Sequence, residues 1–227
     1  MIIAIDGPAG SGKSSVAKAV ALRLGFRYLD TGAMYRALAV IAIRQSIDLH
    51  DDQQLAQLSV NCSVRFAFEP GEVLPSRVFF DDEDVTDYLR TPEIDAAVSA
   101  LSASPGLRED MLVKQRRLGS NGDFVVEGRD IGSVVFPDAE LKIFLTADVA
   151  ERARRRVAQN KARGIESDYD EILASLIVRD ERDTSREIAP LTRADDAVQL
   201  DSTNLTEEEV IDTIVDLAHA RCAQTEG

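Results

Sequence analysis

The sequence predicts an α/β fold in which a parallel β-sheet core is flanked by helices. Short apolar runs at residues 2–5, 124–126 and 141–145 have the length and composition of buried parallel strands. Segments with apolar residues at helical spacing separate these runs, and such alternation builds a parallel sheet with helices on both faces. A glycine-rich loop follows the first run, at the carboxyl edge where parallel sheets bind their ligands.

This loop, between the first strand and the first helix, has the pattern of a phosphate-binding loop. Residues 7–14 fill every fixed position of G-x-x-x-x-G-K-[ST]. The glycines let the backbone turn without side-chain clashes, so that successive N–H groups and the helix N-terminus can surround a polyphosphate. The alternative, a turn that merely joins a strand to a helix, is disfavoured because a strand and a helix flank the loop as the pattern requires.

We therefore expect the loop to bind a nucleoside triphosphate together with a Mg²⁺ ion. Lys13 would reach the terminal phosphates, and the hydroxyl of Ser14 would bind the metal. The expected nucleotide-binding residues are consecutive: Gly7, Pro8, Ala9, Gly10, Ser11, Gly12, Lys13, Ser14 and Ser15.

The middle of the chain predicts a small antiparallel insert among helices. Within residues 60–89, Val64, Phe66 and Phe68 alternate with other residues, and a Glu-Pro-Gly break at 69–71 precedes a second apolar run. Helical spacing is found on both sides of the insert, at residues 33–46, 52–58, 94–101 and 107–118.

Beyond residue 120 the alternation of strands and helices resumes. The predicted strands are 124–126, 141–145 and 197–200, and the predicted helices are 149–161 and 169–183, with a polar loop around Gly164 between them. A final helix begins after Thr206, because residues 206–209 form a capping box.

Composition excludes several classes of function. The 227 residues are 44% hydrophobic, which supports a real core, and the net charge of -14 repels nucleic acid polymers and anionic membranes. Because no apolar run approaches about 18 residues and no basic leader is present, we expect a cytoplasmic protein, and we expect a monomer. The two cysteines and two histidines lack the spacing of zinc sites or histidine-dependent triads.

Arginines gather locally in this acidic chain, and each group needs a reason. They occur at Arg36, at Arg129 beside Asp130, in the run 152–156 and in the run 179–186. A solvated helix face explains the run 152–156 equally simply, whereas weak surface ion pairs are the less favoured explanation of the run 179–186. Gly128 and Gly132 bracket the Arg129–Asp130 pair directly after an apolar strand, which places two charges at the ligand-binding edge of the sheet.

Phosphoryl transfer between two anionic molecules demands such a pattern. The transferred group spreads charge over its oxygens while donor and acceptor repel each other, and arginine binds phosphate oxygens bidentately at any working pH. If the acceptor is a nucleoside monophosphate, its phosphate is already largely dianionic at neutral pH, since its second pKa is about 6. No general base is then required, which agrees with the scarcity of histidine.

With these segments in view, the sequence resembles the bacterial-type cytidylate kinases over nearly its whole length. The shared stretches are residues 5–14, 29–36, 127–132, 134–139, 142–145, 179–186 and 189–191. The resemblance implies the P-loop nucleoside triphosphate hydrolase fold of the nucleoside monophosphate kinases. It also implies one kinase domain over 1–227, with a core at about 1–32, 117–147 and 168–227, a monophosphate-binding region with the β insert at about 33–116, and a helical lid at about 148–167.

The resemblance also implies substrates and the residues that bind them. The reaction would transfer the terminal phosphate of Mg-ATP to CMP or dCMP, with catalysis by Lys13, Arg36, Arg129 and Arg186. The same three arginines would hold the acceptor phosphate, with Thr31 beside it. Ser99, Arg108 and Asp130 would read the cytosine, whose amino donor and ring acceptors suit a carboxylate and an arginine. Arg179 and Asp183 would bind the sugar hydroxyls.

Two assignments stay open within the resemblance. One of the lid arginines, Arg152, Arg156 or Arg163, would close on the triphosphate, and the sequence does not distinguish among them. Glu127, where relatives often have aspartate, is a candidate for the magnesium shell.

Two other functions compete with the transfer to CMP. One is a related kinase that acts on UMP, AMP or a non-nucleotide metabolite, which the three base-reading residues disfavour. The other is a nucleotide-dependent switch, in which arginines from three separate segments would have no role.

Overall fold

A computed structural model describes residues 1–119 and 122–225. In chain order its elements are β1 (Ile2–Asp6), α1 (Lys13–Leu24), β2 (Arg27–Asp30), α2 (Thr31–Arg44), α3 (Asp52–Val60), β3 (Val64–Ala67), β4 (Arg77–Phe80), β5 (Glu83–Asp84), α4 (Pro92–Leu101), α5 (Pro105–Leu118), β6 (Phe124–Gly128), β7 (Leu141–Thr146), α6 (Val149–Ala162), α7 (Tyr169–Ser185), β8 (Val198–Asp201) and α8 (Glu207–Thr225). A 3₁₀ turn at Thr86–Tyr88 and a π-helical turn at Ile131–Val135 complete the set. The chain divides into a first unit, Met1–Leu24 with Val125–Gly227, and a second unit, Gly25–Phe124.

The first unit is built on parallel strands, as the sequence predicts. Its part of the larger, five-stranded sheet has the order β6-β1-β7-β8. Ile3 lies opposite Leu141 and Ile143 lies opposite Val198 in parallel register. Ile3 has no exposed surface and Ile143 is 1% exposed, so β1 and β7 are mostly buried, whereas β8 alternates half-buried and exposed residues. Helix α1 packs against α8 and α6 packs against α7, which confirms the predicted α/β class.

The second unit contains the predicted antiparallel insert. Strands β3, β4 and β5 form a three-stranded sheet in which Val64 lies opposite Phe80 and Phe66 lies opposite Val78. These four side chains are buried, whereas the intervening Arg65 is exposed, because successive residues of a strand face opposite sides. Helix α2 packs on α4, and α3 packs on α5.

Strand β2 was not predicted from the sequence, and helices α2, α4 and α5 each start two residues earlier than predicted. Strand β2 has four residues, too few to display a period before the next helix begins. Helix α2 begins at Thr31 rather than near residue 33, because the side chain of Asp30 caps it by accepting a hydrogen bond from Ala33 N at 3.0 Å. The capping box of α8 is confirmed: Glu209 N donates to Thr206 Oγ1 at 3.2 Å, and Thr206 N donates to Glu209 Oε2 at 2.8 Å.

The helices agree with the expectation, from the sequence, that no apolar run is long enough to span a membrane. Among the described residues, none of the helices combines the length and the apolar content that a membrane span requires. The boundaries of the core, the monophosphate region and the lid stay predictions.

Candidate active site

The glycine-rich loop connects β1 to α1 through backbone conformations that glycine adopts readily. Gly7, Gly10 and Gly12 have φ angles of 150°, 77° and 92°. At Gly7 a Cβ atom would lie 2.0 Å from the carbonyl oxygen of Leu145, at the end of β7, so only glycine fits there. Because α1 begins at Lys13, the free N–H groups of its first turn lie at the end of the loop. This is the backbone arrangement that binds polyphosphate.

Lys13 is folded back onto its own loop. Its Nζ donates to the carbonyl oxygen of Pro8 at 2.7 Å and to Ser11 Oγ at 3.4 Å. The residue is 5% exposed, and burial together with the charge of Arg129 lowers the pKa of Lys13 well below its usual value. An anion bound in the loop would favour the charged lysine and reverse this effect.

The side-chain oxygens of Ser14 and Glu127 lie next to each other beside the loop. Ser14 Oγ donates to Glu127 Oε2 at 3.0 Å, and Glu127 is 4% exposed at the end of β6. A hydroxyl and a carboxylate suit Mg²⁺, which usually takes one or two protein oxygens and completes its shell with substrate phosphates and water. Accordingly, no group of three or more His, Cys, Asp or Glu side chains within 1–119 and 122–225 is arranged to hold a metal by itself. The donor set fits magnesium bound together with a nucleotide.

Asp6 connects the strand before the loop to the segment after Arg129 and Asp130. Its carboxylate accepts hydrogen bonds from Ile131 N at 2.8 Å and from Gly132 N at 2.7 Å. The side chain is 5% exposed, and burial raises the pKa of Asp6 to about 6, although the two backbone hydrogen bonds oppose the rise. This contact was not predicted; its only sequence signal is an acidic residue that ends an apolar strand.

Cationic side chains converge around Asp183 on α7. Arg129 Nε donates to Asp183 Oδ2 at 2.9 Å, and Arg186 Nη1 lies 3.9 Å from Asp183 Oδ1. Burial acts to raise the pKa of Asp183, but the charges of Arg129, Arg186 and Arg179 outweigh it and lower the pKa. The charges of Arg129 and Arg179 also lower the pKa of Lys13. Four cations of the first unit therefore share one neighbourhood with the carboxylates of Asp183, Glu127 and Asp6.

The predicted lid arginines have different surroundings. Arg152 is 5% exposed and uses its whole fork: Nε donates to Ala147 O at 3.0 Å, Nη1 to Ala9 O at 3.0 Å and Nη2 to Asp180 Oδ2 at 2.6 Å. Arg156 donates to Gln159 Oε1 at 3.0 Å, and Arg163 is exposed at the end of α6. Arg155, which is not among the predicted lid arginines, donates to Ser202 O at 2.6 Å and Ser202 Oγ at 3.0 Å.

In the second unit, Arg36 lies between α2 and α4. Its Nη2 is 3.4 Å from Asp95 Oδ1, and its Nε is buried with no hydrogen-bond partner in the described part of the chain. A buried guanidinium N–H without a partner is costly, and a bound anion would satisfy it. Thr31, the first residue of the same helix, is 4% exposed.

Arg108 and Ser99 lie on neighbouring helices of the same unit. Arg108 is 5% exposed on α5, donates from Nη1 to Ser102 O at 3.2 Å and places its guanidinium carbon 5.6 Å from the ring centre of Tyr35. Ser99 is half-buried on α4, and Asp130 of the first unit is half-buried at the start of its turn. These contacts hold Arg108 in place by packing rather than leaving it on an exposed helix face.

Comparison with known proteins decides the family. The family model described as "Cytidylate kinase" matches residues 3–220. The chain belongs to the cytidylate kinase family. It is 47% identical over 220 residues to the "Cytidylate kinase" of Geobacillus sp. (strain WCH70), covering 96% of both chains. It is also 47% identical over 227 residues to the "Cytidylate kinase" of Geobacter sulfurreducens (strain ATCC 51573 / DSM 12127 / PCA), covering 100% of this chain and 96% of that one.

Among solved structures, an uncharacterized protein from Eubacterium ventriosum ATCC 27560 shares the fold. Its TM-score is 0.50 at 13% identity, over 96% of this chain and 97% of that one. The family resemblance stated from the sequence is thus confirmed. The roles of the individual site residues in this chain stay predictions.

Proposed function

We propose that the protein transfers the terminal phosphate of ATP to CMP or dCMP, giving ADP and CDP or dCDP. The observation that carries this proposal is the convergence of Lys13, Arg129, Arg179 and Arg186 within one unit of a protein whose net charge is -14. Clustered cations in an acidic protein suit anionic ligands, and the adjoining phosphate-binding loop suits the phosphate donor.

On the donor side, the loop 7–15 binds the polyphosphate through its N–H groups. Lys13 moves its Nζ from the Pro8 carbonyl to the terminal phosphates, which offer charge-assisted bonds in place of a neutral one. Ser14 and Glu127 would hold Mg²⁺, whose charge neutralises the phosphate oxygens.

On the acceptor side, Arg36, Arg129 and Arg186 bind the phosphate of CMP, and Thr31 lies beside it. Asp183 and Arg179 bind the sugar hydroxyls, while Asp130, Arg108 and Ser99 recognise the cytosine. A carboxylate opposite the cytosine amino group and an arginine opposite its ring acceptors disfavour uracil, whose donor and acceptor pattern is reversed.

The transfer itself is a direct in-line displacement by an acceptor phosphate oxygen. The oxygen attacks the terminal phosphorus of ATP, the bond to the bridging oxygen breaks, and ADP leaves with that electron pair. The acceptor is already dianionic near neutral pH, so the residues of this chain position and neutralise charge rather than remove a proton. A water-free lid would suppress hydrolysis, and Arg152, Arg156 and Arg163 are the candidates to close it.

The test is ADP release from Mg-ATP in the presence of CMP, dCMP, UMP, AMP, GMP, shikimate or no acceptor. We expect turnover with CMP and dCMP only, together with a loss of about a thousandfold in kcat on Lys13→Met. Lys18→Met is the matched control, since Lys18 is an exposed lysine on the same helix, and it should retain wild-type turnover.

Two results would contradict the proposal. ADP release without any acceptor would indicate a hydrolytic switch. Turnover with a different acceptor would keep the phosphate loop but withdraw the base-reading roles.

A further inference from the structure

An acidic side chain, Asp95, lies against the arginine of the second unit that we assign to the acceptor phosphate. Arg36 Nη2 and Asp95 Oδ1 are 3.4 Å apart, with 14% and 21% of the two side chains exposed. Charge-assisted N–H···O bonds are usually about 2.7–2.9 Å long, so this pair is loose. With Nε of Arg36 buried and unbonded across the described residues, the guanidinium retains donors for a better acceptor.

The position of Asp95 follows from the helix that carries it. Helix α4 begins after the Thr91 cap, and Asp95 belongs to its first turn, where the helix dipole favours a negative charge. Because α2 packs on α4, the half-buried carboxylate lies against Arg36. Ser99, proposed to contact the base, follows one helical turn later on the same side. Asp95 therefore lies among residues proposed to bind the acceptor.

We propose that the carboxylate of Asp95 weakens the binding of the acceptor phosphate to Arg36. This inference rests on the proposed function. In the free protein the carboxylate of Asp95 pairs with the guanidinium of Arg36. An arriving phosphate must share or replace that contact, and the carboxylate repels it. The repulsion acts on the bound acceptor and on the transition state alike, so it raises the KM for CMP and leaves kcat nearly unchanged.

Asp95→Asn tests the inference, and the chain offers a matched control. Glu93 belongs to the same first turn of α4 and is exposed, so Glu93→Gln removes the same charge at the same helix end without touching Arg36. Binding of CMP and of cytidine is measured by titration calorimetry, and KM and kcat are measured for CMP. We expect Asp95→Asn to tighten CMP binding about three- to tenfold, with cytidine binding unchanged, and Glu93→Gln to alter neither.

The same measurements contain the outcomes that overturn the inference. CMP binding that is unchanged or weaker in Asp95→Asn would show that Asp95 does not oppose the phosphate. Equal tightening of CMP and cytidine would place its effect on the nucleoside instead. Asp95→Ser, which also removes the charge, must reproduce the result if charge is the cause. Failure of the proposed function is distinguishable, since the wild-type protein would then neither bind nor phosphorylate CMP.

Discussion

At the level of single side chains, Asp6 links the phosphate loop to the segment that carries Arg129 and Asp130. The carboxylate accepts from two consecutive backbone N–H groups, and it is buried. Ionised, it satisfies both donors; protonated, one of its oxygens becomes a donor that faces an N–H group. The ionised form should therefore keep the phosphate loop and the segment with Arg129 and Asp130 in the arrangement needed for activity. Activity should decline as the pH falls through about 6, the raised pKa of Asp6.

The same pKa determines how Asp6 affects stability. The folded-state pKa of about 6 exceeds the unfolded value of 3.8, so the folded protein binds more protons between these values. The contribution of Asp6 to the free energy of unfolding thus falls as the pH rises through this window, by on the order of 1–3 kcal/mol in total, and is level above about pH 7.

Unfolding by urea between pH 5 and 8 measures this contribution in the wild type and in Asp6→Asn. The range stays above the isoelectric point near 4.6. We expect the stability advantage of the wild type over Asp6→Asn to decrease between pH 5 and 7 and then to remain constant. A difference that is flat throughout would contradict the raised pKa of this carboxyl group.

At the level of elements, the hydrogen bonds of Arg152 connect helix α6 to the phosphate loop and to α7. One guanidinium contacts the carbonyl oxygens of Ala9 and Ala147 and the carboxylate of Asp180. Lysine keeps the charge but not the fork, so Arg152→Lys can satisfy only part of this set. We expect a loss of about 1–3 kcal/mol in the free energy of unfolding and a several-fold rise in the KM for ATP with a smaller change for CMP.

The matched control for Arg152→Lys is Arg154→Lys. Arg154 is on the same helix, its side chain is 61% exposed and it pairs at the surface with Glu151. Urea unfolding and the two KM values should therefore be unchanged in this variant. Equal stability of Arg152→Lys and the wild type would show that the contacts of Arg152 do not stabilise the fold.

The helices and strands also show which structural features can be predicted from the sequence. Caps and periodicity predicted α8 and the antiparallel insert, because those signals lie within a few neighbouring residues. The Arg152–Ala9 contact joins residues 143 positions apart, and the Asp6–Gly132 contact joins residues 126 apart. Local patterns do not encode such pairs, so the phosphate loop was predictable whereas its supports were not.

At the level of the whole molecule, a net charge of -14 surrounds a local cluster of cations. The acidic total and the arginine groups were both visible in the sequence, but the sharing of Asp183 by Arg129 and Arg186 required the fold. The two fields act over different ranges. At about 0.01 M salt the screening length is about 30 Å, so an incoming anionic substrate feels the whole negative surface; at about 0.15 M it is about 8 Å, so the cations of the site dominate near contact.

This difference in range predicts how the rate depends on salt. We expect kcat/KM for ATP, at constant free Mg²⁺, to rise about twofold or more as ionic strength increases from about 0.01 to 0.15 M, and to fall at higher salt when the site cations are screened as well. The wild-type protein is assayed in sodium chloride and in potassium acetate, since a true screening effect depends on ionic strength and not on the anion. A monotonic fall from the lowest salt would mean that the cations of the site outweigh the acidic surface even at long range.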